Sequence, residues 1–267
     1  MAQVHPDNYR ALGMQSEAGS SNGLFVEVAT GQVVTMKDSV VVGYADPSLH
    51  CRVTEDFLGK ALNVTDSIWG VKDTSSAGTP TAAILADADC GQFEFKFSSN
   101  DEAQVLTLYW NDELNIDPAQ GPVMTCRLKT VAQLLSTDTL VLGLASAQND
   151  AADSVASHAW FRIQGANDNL LVESDNGSVD NDDDDTGVDV TADTFAEFKV
   201  DASNYLDVKF YYRATLGGEW TDVTPSSATY KLHATTGLQP FVQIQKSGGA
   251  GETDFLIDYV DVAWKRN

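Results

Sequence analysis

The stretch Asp180–Asp193, DNDDDDTGVDVTAD, holds seven Asp in fourteen residues. Carboxylates this dense repel one another, and a bound cation or bulk water relieves that. A calcium loop of the helix–loop–helix kind takes oxygen ligands at alternating positions, a Gly at its sixth and an acid at its twelfth. Counted from Asp182, the alternating positions are Asp184 and Thr186, the sixth is Gly187 and the twelfth is Asp193. The match is partial. The closing bidentate Glu is missing, and Thr is a weaker ligand than Asp or Asn. The metal reading therefore rests on Asp182, Asp184, Thr186 and Asp193, and calcium is the ion these oxygens would take. The competing reading is a solvated connection between strands, the usual place for an acidic run.

Carboxylates can also act in pairs. Glycoside hydrolysis on a strand needs two of them facing one way, about 5 Å apart in retaining enzymes. The corresponding patterns, E-x-D-x-x-E and E-x-D-x-E, do not occur. Glu252-Thr253-Asp254 falls in a Gly-rich turn, and Asp258 and Asp261 are three apart, so a strand points them opposite ways. The histidines, His5, His50, His158 and His233, form no H-x-H or H-E-x-x-H. No G-x-S-x-G elbow or P-loop is present. Gly248–Gly251 joins two strands and opens no helix, so it is no phosphate cradle. Cys51, Cys90 and Cys126 are odd in number and form no C-x-x-C. A zinc site or disulfide framework is not expected, and the thiols read as reduced and buried. No catalytic residue is assigned, and the expectation is a protein that is not an enzyme.

Trp69, Trp110, Trp160 and Trp264 lie within strand patterns and read as packing residues. Trp220 follows the turn Leu216-Gly217-Gly218-Glu219 and is the candidate ligand-binding ring, with a glycan as the ligand it would suit.

The elements that must position these residues are strands. GQFEFKFSS sets Phe93, Phe95 and Phe97 on one face. HAWFRIQG alternates Phe161 and Ile163 against Arg162 and Gln164. YLDVKFYYR points Leu206, Val208, Phe210 and Tyr212 inward. LQPFVQIQKS sets Val242 and Ile244 against Gln243 and Gln245. In the closing strand, period two groups Leu256, Asp258, Val260, Val262 and Trp264. One helical turn is expected at TVAQLL, 130–135. Strands ten to fifteen residues apart, separated by Gly, Asn, Asp and Ser, predict an all-β, two-sheet antiparallel jelly-roll sandwich. Residues 1–50 read as an arm or small β-extension, with strand-like pieces over 24–45 after a polar, weakly patterned start. Residues 51–267 read as the sandwich. Asn63 and Asn176 match glycosylation sequons by chance.

The net charge of −23 repels nucleic acid and anionic membrane surfaces and favours solubility. No apolar run approaches the ~20 residues of a membrane span, and the start shows no secretory leader pattern. A soluble protein made in the cytoplasm is expected.

The opening Asp56-Phe57-Leu58 and the closing PFVQIQ…FLIDYVDVAW resemble the concanavalin A-like, laminin-G-like jelly rolls, in particular structural proteins of tailed bacteriophages. The most specific piece is Asp254–Trp264. This resemblance implies a non-enzymatic virion protein, a capsid decoration or cement protein on the outer capsid surface. Its partners would be the major capsid protein and neighbouring copies, in a homotrimer. The alternative it implies is a carbohydrate- or receptor-binding module of a phage tail fibre.

Overall fold

The structure is a computed structural model that describes residues 9–11, 23–27, 33–37, 40–44, 50–58, 62, 68–86, 88, 90–165 and 168–266, those before 50 as backbone only. His5 and the sequon at Asn63 lie outside the described residues. The chain divides into two compact units, Met1–Cys51 with Lys265–Asn267, and Arg52–Trp264. The smaller unit carries four antiparallel strands in chain order: β1 (Tyr9–Ala11), β2 (Gly23–Glu27), β3 (Val33–Lys37) and β4 (Val40–Tyr44). The last three fall on the strand-like pieces of the sequence. The first falls in the stretch read as unpatterned.

The larger unit is built on two antiparallel sheets. The front sheet contains β5 (His50–Glu55), β7 (Thr81–Ile84), β8 (Phe93–Lys96), β10 (Val123–Thr130), β15 (Ala196–Asp201), β16 (Lys209–Arg213), β17 (Thr221–Asp222) and β19 (Asp254–Lys265). Its order is β17-β16-β15-β10-β19-β8-β7, with β5 also on β19. The back sheet contains β6 (Gly70–Asp73), β9 (Gln104–Tyr109), β11 (Asp138–Ala145), β12 (His158–Gln164), β13 (Asn169–Asp175), β14 (Asp180–Asp189) and β18 (Gln239–Lys246). Its order is β14-β13-β12-β11-β18-β9-β6. The expected two-sheet jelly-roll sandwich is what forms.

Alternation in the sequence builds the core between the sheets. Phe93, Phe95 and Phe97 are buried from the front sheet, and Leu140, Leu142, Phe161, Ile163, Val242 and Ile244 from the back. Fully burying one such side chain contributes about 1.5–3 kcal/mol. Trp69 and Trp110 are buried in the same core, and Trp264 packs against it. Lys246 is also buried. Its ammonium donates to the carbonyls of Ser98 (2.8 Å), Asn100 (2.6 Å) and Gly251 (3.5 Å). Three donors thus meet three acceptors, which removes the penalty for burying the group and ties the Gly248–Gly251 loop to the loop after β8.

Four local expectations change. The closing strand does not keep one face over 256–264. Against β10 its register shifts, so that Leu128 opposes Ile257 and Arg127 opposes Tyr259. Asp258 is the extra residue of a β-bulge, which moves the apolar set from Phe255 and Ile257 to Val260 and Val262. Asp258 leaves the apolar row and pairs with Arg127. Leu206 is exposed, because β16 starts only at Lys209 and residues 203–207 form turns. In TVAQLL, Thr130 ends β10 and residues 131–135 are irregular chain, and no α-helix occurs among the described residues. Only Cys126 is fully buried; Cys51 is half-buried and Cys90 exposed, and all three are free thiols.

Candidate ligand-binding face

The outward residues of the front sheet converge on one buried carboxylate. Glu197, on β15, is 1% exposed. Arg213, its cross-strand neighbour on β16, forks onto it, with Nη2 2.7 Å from Oε1 and Nε on Oε2. Tyr259 reaches over from β19 and donates its hydroxyl to Oε1. Burial alone would raise the Glu197 pKa. The hydrogen bonds from Arg213 and Tyr259 outweigh it and hold the group below the usual carboxylate range. Burial, then the proton-accepting Glu197, push Tyr259 well above an ordinary tyrosine. The cluster is a fixed frame of paired charge and has no group poised to exchange a proton near neutrality.

Over that frame lies a depression of about 360 Å³, lined by Arg52, Thr54, Asp56, Thr125, Arg213, Trp220, Tyr259 and Asp261. On one side, Asp261 Oδ1 accepts from Arg52 Nε (2.7 Å) and Thr54 Oγ1 (2.5 Å). On the other stands Trp220, with the Arg213 guanidinium 4.3 Å and the Lys199 ammonium 4.7 Å from its ring centre. Lys199 also sits 4.0 Å from the Tyr211 ring centre. Burial, countered by Asp201, lowers the Lys199 pKa. Cation–π contacts of this kind contribute about 0.5–1 kcal/mol at exposed sites and fix the ring in place. The Leu216–Glu219 turn does bring Trp220 back, since Thr221 and Asp222 pair with Tyr212 and Tyr211. Trp220 is half-buried and borders the depression.

The acidic run behaves differently from either expectation. Residues 180–189 are no loop. They form β14, the edge strand of the back sheet, paired with β13 from Asp175↔Asp180 to Asn169↔Asp189. Two shifts in register, with Asp183 (φ 52) and Gly187 (φ 73) in left-handed conformations, absorb the irregular sequence. The calcium set is not brought together. Asp184 accepts the Tyr230 hydroxyl at 2.7 Å, and Thr186 donates to the Leu170 carbonyl at 2.6 Å. Asp193 lies beyond the strand and pairs with Lys129 at 2.6 Å. Asp182 is exposed. The register shifts of the strand and the partners already taken by Asp184, Thr186 and Asp193 keep these oxygens from wrapping an ion as a loop does. Among the described residues no group of three or more His, Cys, Asp or Glu is arranged to hold a metal. At the head of the strand, burial and repulsion from Asp182 and Asp175 push Asp180 up to about 6.

The outer face of the back sheet holds a second arrangement. Trp160 is buried there as a packing residue, beneath Ala152 and Val155 and beside Phe241, on the same face as Arg162 as the strand alternation sets it. His158 stacks on it at 3.6 Å. Glu173 accepts from Trp160 Nε1 (2.5 Å) and Arg162 Nη1 (2.9 Å). With Asp175 it forms an E-x-D pair without a closing Glu, but it is 1% exposed. The covering segment is held by Gln243 and Gln245, which donate to the carbonyls of Asn149 (2.8 Å) and Asp150 (2.5 Å). Beside it is a depression of about 420 Å³, lined by Thr139, Gln164, Gln245 and neighbours. That depression is larger than the Trp220 one but has no aromatic wall.

No family model matches the chain, and no curated protein matches it. Its fold is similar to that of a protein of unknown function from Shewanella oneidensis MR-1, at 12% identity, over 82% of this chain and 87% of that one, with a TM-score of 0.58. A structure from work on endo-acting O-glycanases of the human gut microbiota that initiate mucin breakdown aligns at 9% identity, over 79% and 97% of the chains, TM-score 0.53. The lectin UEA-II complexed with galactose aligns at 8% identity, over 80% and 98%, TM-score 0.49. At these identities the likeness concerns the fold. The chain is an all-β, two-sheet antiparallel jelly-roll sandwich.

Proposed function

We propose that the chain is a carbohydrate-binding module, of the kind a phage tail fibre carries, with the front-sheet depression as its site. The observation that carries this is the pairing of Trp220 with the Arg52–Asp261 ion pair across one open depression. A pyranose has an apolar face of C–H groups and a rim of hydroxyls. The indole matches the face. The guanidinium donates to the rim and the carboxylate accepts from it. The size lies at the small end of ligand pockets, about 300–1,000 Å³. It suits one or two sugar units rather than a long chain. The frame around Glu197 is preorganised, so little ordering opposes binding. Glycan-array binding by the purified protein, repeated with Trp220→Ala, tests the reading. We expect a defined set of glycans to bind and the variant to weaken them about tenfold, equivalent to about 1.4 kcal/mol. A blank array, or a variant that binds as the parent does, sinks it.

A second reading is the capsid decoration protein that the closing-strand resemblance implies. The observation favouring it is the separate four-stranded unit within Met1–Cys51, a module free to contact a capsid or neighbouring copies while the acidic sandwich faces water. On this reading the protein is made in the host cytoplasm, forms a trimer and binds the major capsid protein. Mass spectrometry and cryo-electron microscopy of the virion decide between the two: density on the capsid lattice supports decoration, and density at the tail tip supports the module.

A further inference from the structure

β13 and β14 are joined by Asn176-Gly177-Ser178-Val179, and the turn is organised around one side chain. Asn176 Oδ1 accepts the backbone N–H groups of Ser178 and Val179, each at 2.9 Å. The N–H of Gly177 donates to Asp175 Oδ1 at 2.6 Å. Asn176 N donates to the Val179 carbonyl at 3.3 Å and closes the turn. Gly177 is exposed and left-handed, φ 77.

The backbone nitrogen that follows an Asn is a nucleophile placed to close a five-membered imide on the Asn side chain. Three things normally keep it slow. The next side chain crowds the approach, nothing accepts the proton of the attacking nitrogen, and nothing stabilises the oxyanion. This turn reverses all three. Gly177 has no side chain, and the nearest atoms to the position a Cβ would take are His233 Cδ2 at 3.6 Å and Ala156 O at 4.0 Å. The Asp175 carboxylate already holds the proton that must leave. The Ser178 and Val179 amides already point at the oxygen on which charge develops, as in an oxyanion hole.

We infer that Asn176 is a self-modification site, where the folded turn promotes closure of Asn176-Gly177 to a succinimide and its hydrolysis to Asp and isoaspartate. Gly177 N forms a bond to Asn176 Cγ, and its proton passes to Asp175. The Cγ–Nδ2 bond then breaks, and Nδ2 leaves as ammonia with that proton. Water opens the imide at either carbonyl. No oxidant, metal or partner is needed. Both products add a negative charge at the head of β14, a strand in which six of ten residues are already Asp. The Asp product keeps an acceptor for the two amides. The isoaspartate product lengthens the main chain by one carbon beside the Asp175↔Asp180 pair, where it loosens the hairpin.

The experiment compares the folded chain with the same chain in strong urea, both at neutral pH, by peptide mass spectrometry that separates Asp from isoaspartate. Asn22-Gly23, the other Asn-Gly pair of the sequence, reports the rate of an unstructured pair in the urea arm. We expect Asn176 to convert severalfold faster folded than unfolded. In urea it should match Asn22. Asp175→Asn, checked for an unchanged melting temperature, should bring the folded rate down towards the urea rate. A folded rate equal to or below the urea rate overturns the inference, and this comparison needs no variant to fold.

Discussion

Two buried carboxylates sit on opposite sheets and are pushed opposite ways. Glu197 has Arg213 and Tyr259 to itself, so its charged form prevails over burial. Glu173 shares Arg162 with Asp153 and Asp183. Burial dominates there and moves its pKa up to about 7. Linkage then gives opposite signs. The raised Glu173 favours the folded state fully below the ordinary Glu value, and that stability is lost as pH rises towards about 7. The depressed Glu197 stabilises above the ordinary value, and that contribution is lost as pH falls through its folded pKa. Glu173→Gln should therefore abolish a stability loss on the order of 1–3 kcal/mol between mildly acidic and neutral pH. Urea midpoints across that range measure it; an unchanged slope in the variant assigns the loss to another group. The sequence flagged Trp220 from its turn but passed over Glu197, Arg213 and Tyr259. Each lies in an ordinary alternating strand, and Tyr259 meets Glu197 across 62 residues of chain. No local spacing encodes that meeting.

At the scale of elements, β14 shows why composition misled. Asp has low strand propensity, so an Asp-rich run reads as a loop. Pairing with the buried β13 overrides that preference, and the bulge residues Asp183 and Gly187 take up the misfit. An edge strand also exposes unpaired backbone groups, and a row of charges on it keeps a second copy from adding to the sheet. Replacing Asp182, Asp183 and Asp185 together by Asn, which removes the charge and tolerates the left-handed backbone at 183, should leave the fold intact and produce concentration-dependent association in light scattering. A variant as monodisperse as the parent shows that the charges do not guard the edge. Alternation is written in the residues of β8 and β10, whose burial has period two, whereas β18 is buried on both faces because the 149–150 segment covers its outer Gln residues. Alternation failed at the Asp258 bulge, where one extra residue inverts every side chain that follows.

Across the whole molecule, a net charge of −23 opposes compaction through self-repulsion. The melting temperature should rise with added salt as the Debye length shortens to about 8 Å near physiological ionic strength. Because Asp182, Asp184, Thr186 and Asp193 do not converge, calcium should act as a screening ion and match magnesium at equal ionic strength. A calcium-specific rise, which only binding to the folded state can give, would restore a metal site at the acidic edge. The sequence by itself determined the strand-rich class, the apolar faces of most strands and the charge. Those follow from local period and composition. Tertiary structure alone decided that the acidic run is an edge strand, that Glu197 lies beneath a Tyr–Arg frame and that Trp220 faces an ion pair. Each depends on which strands become neighbours, and in an antiparallel sandwich neighbours come from distant parts of the chain.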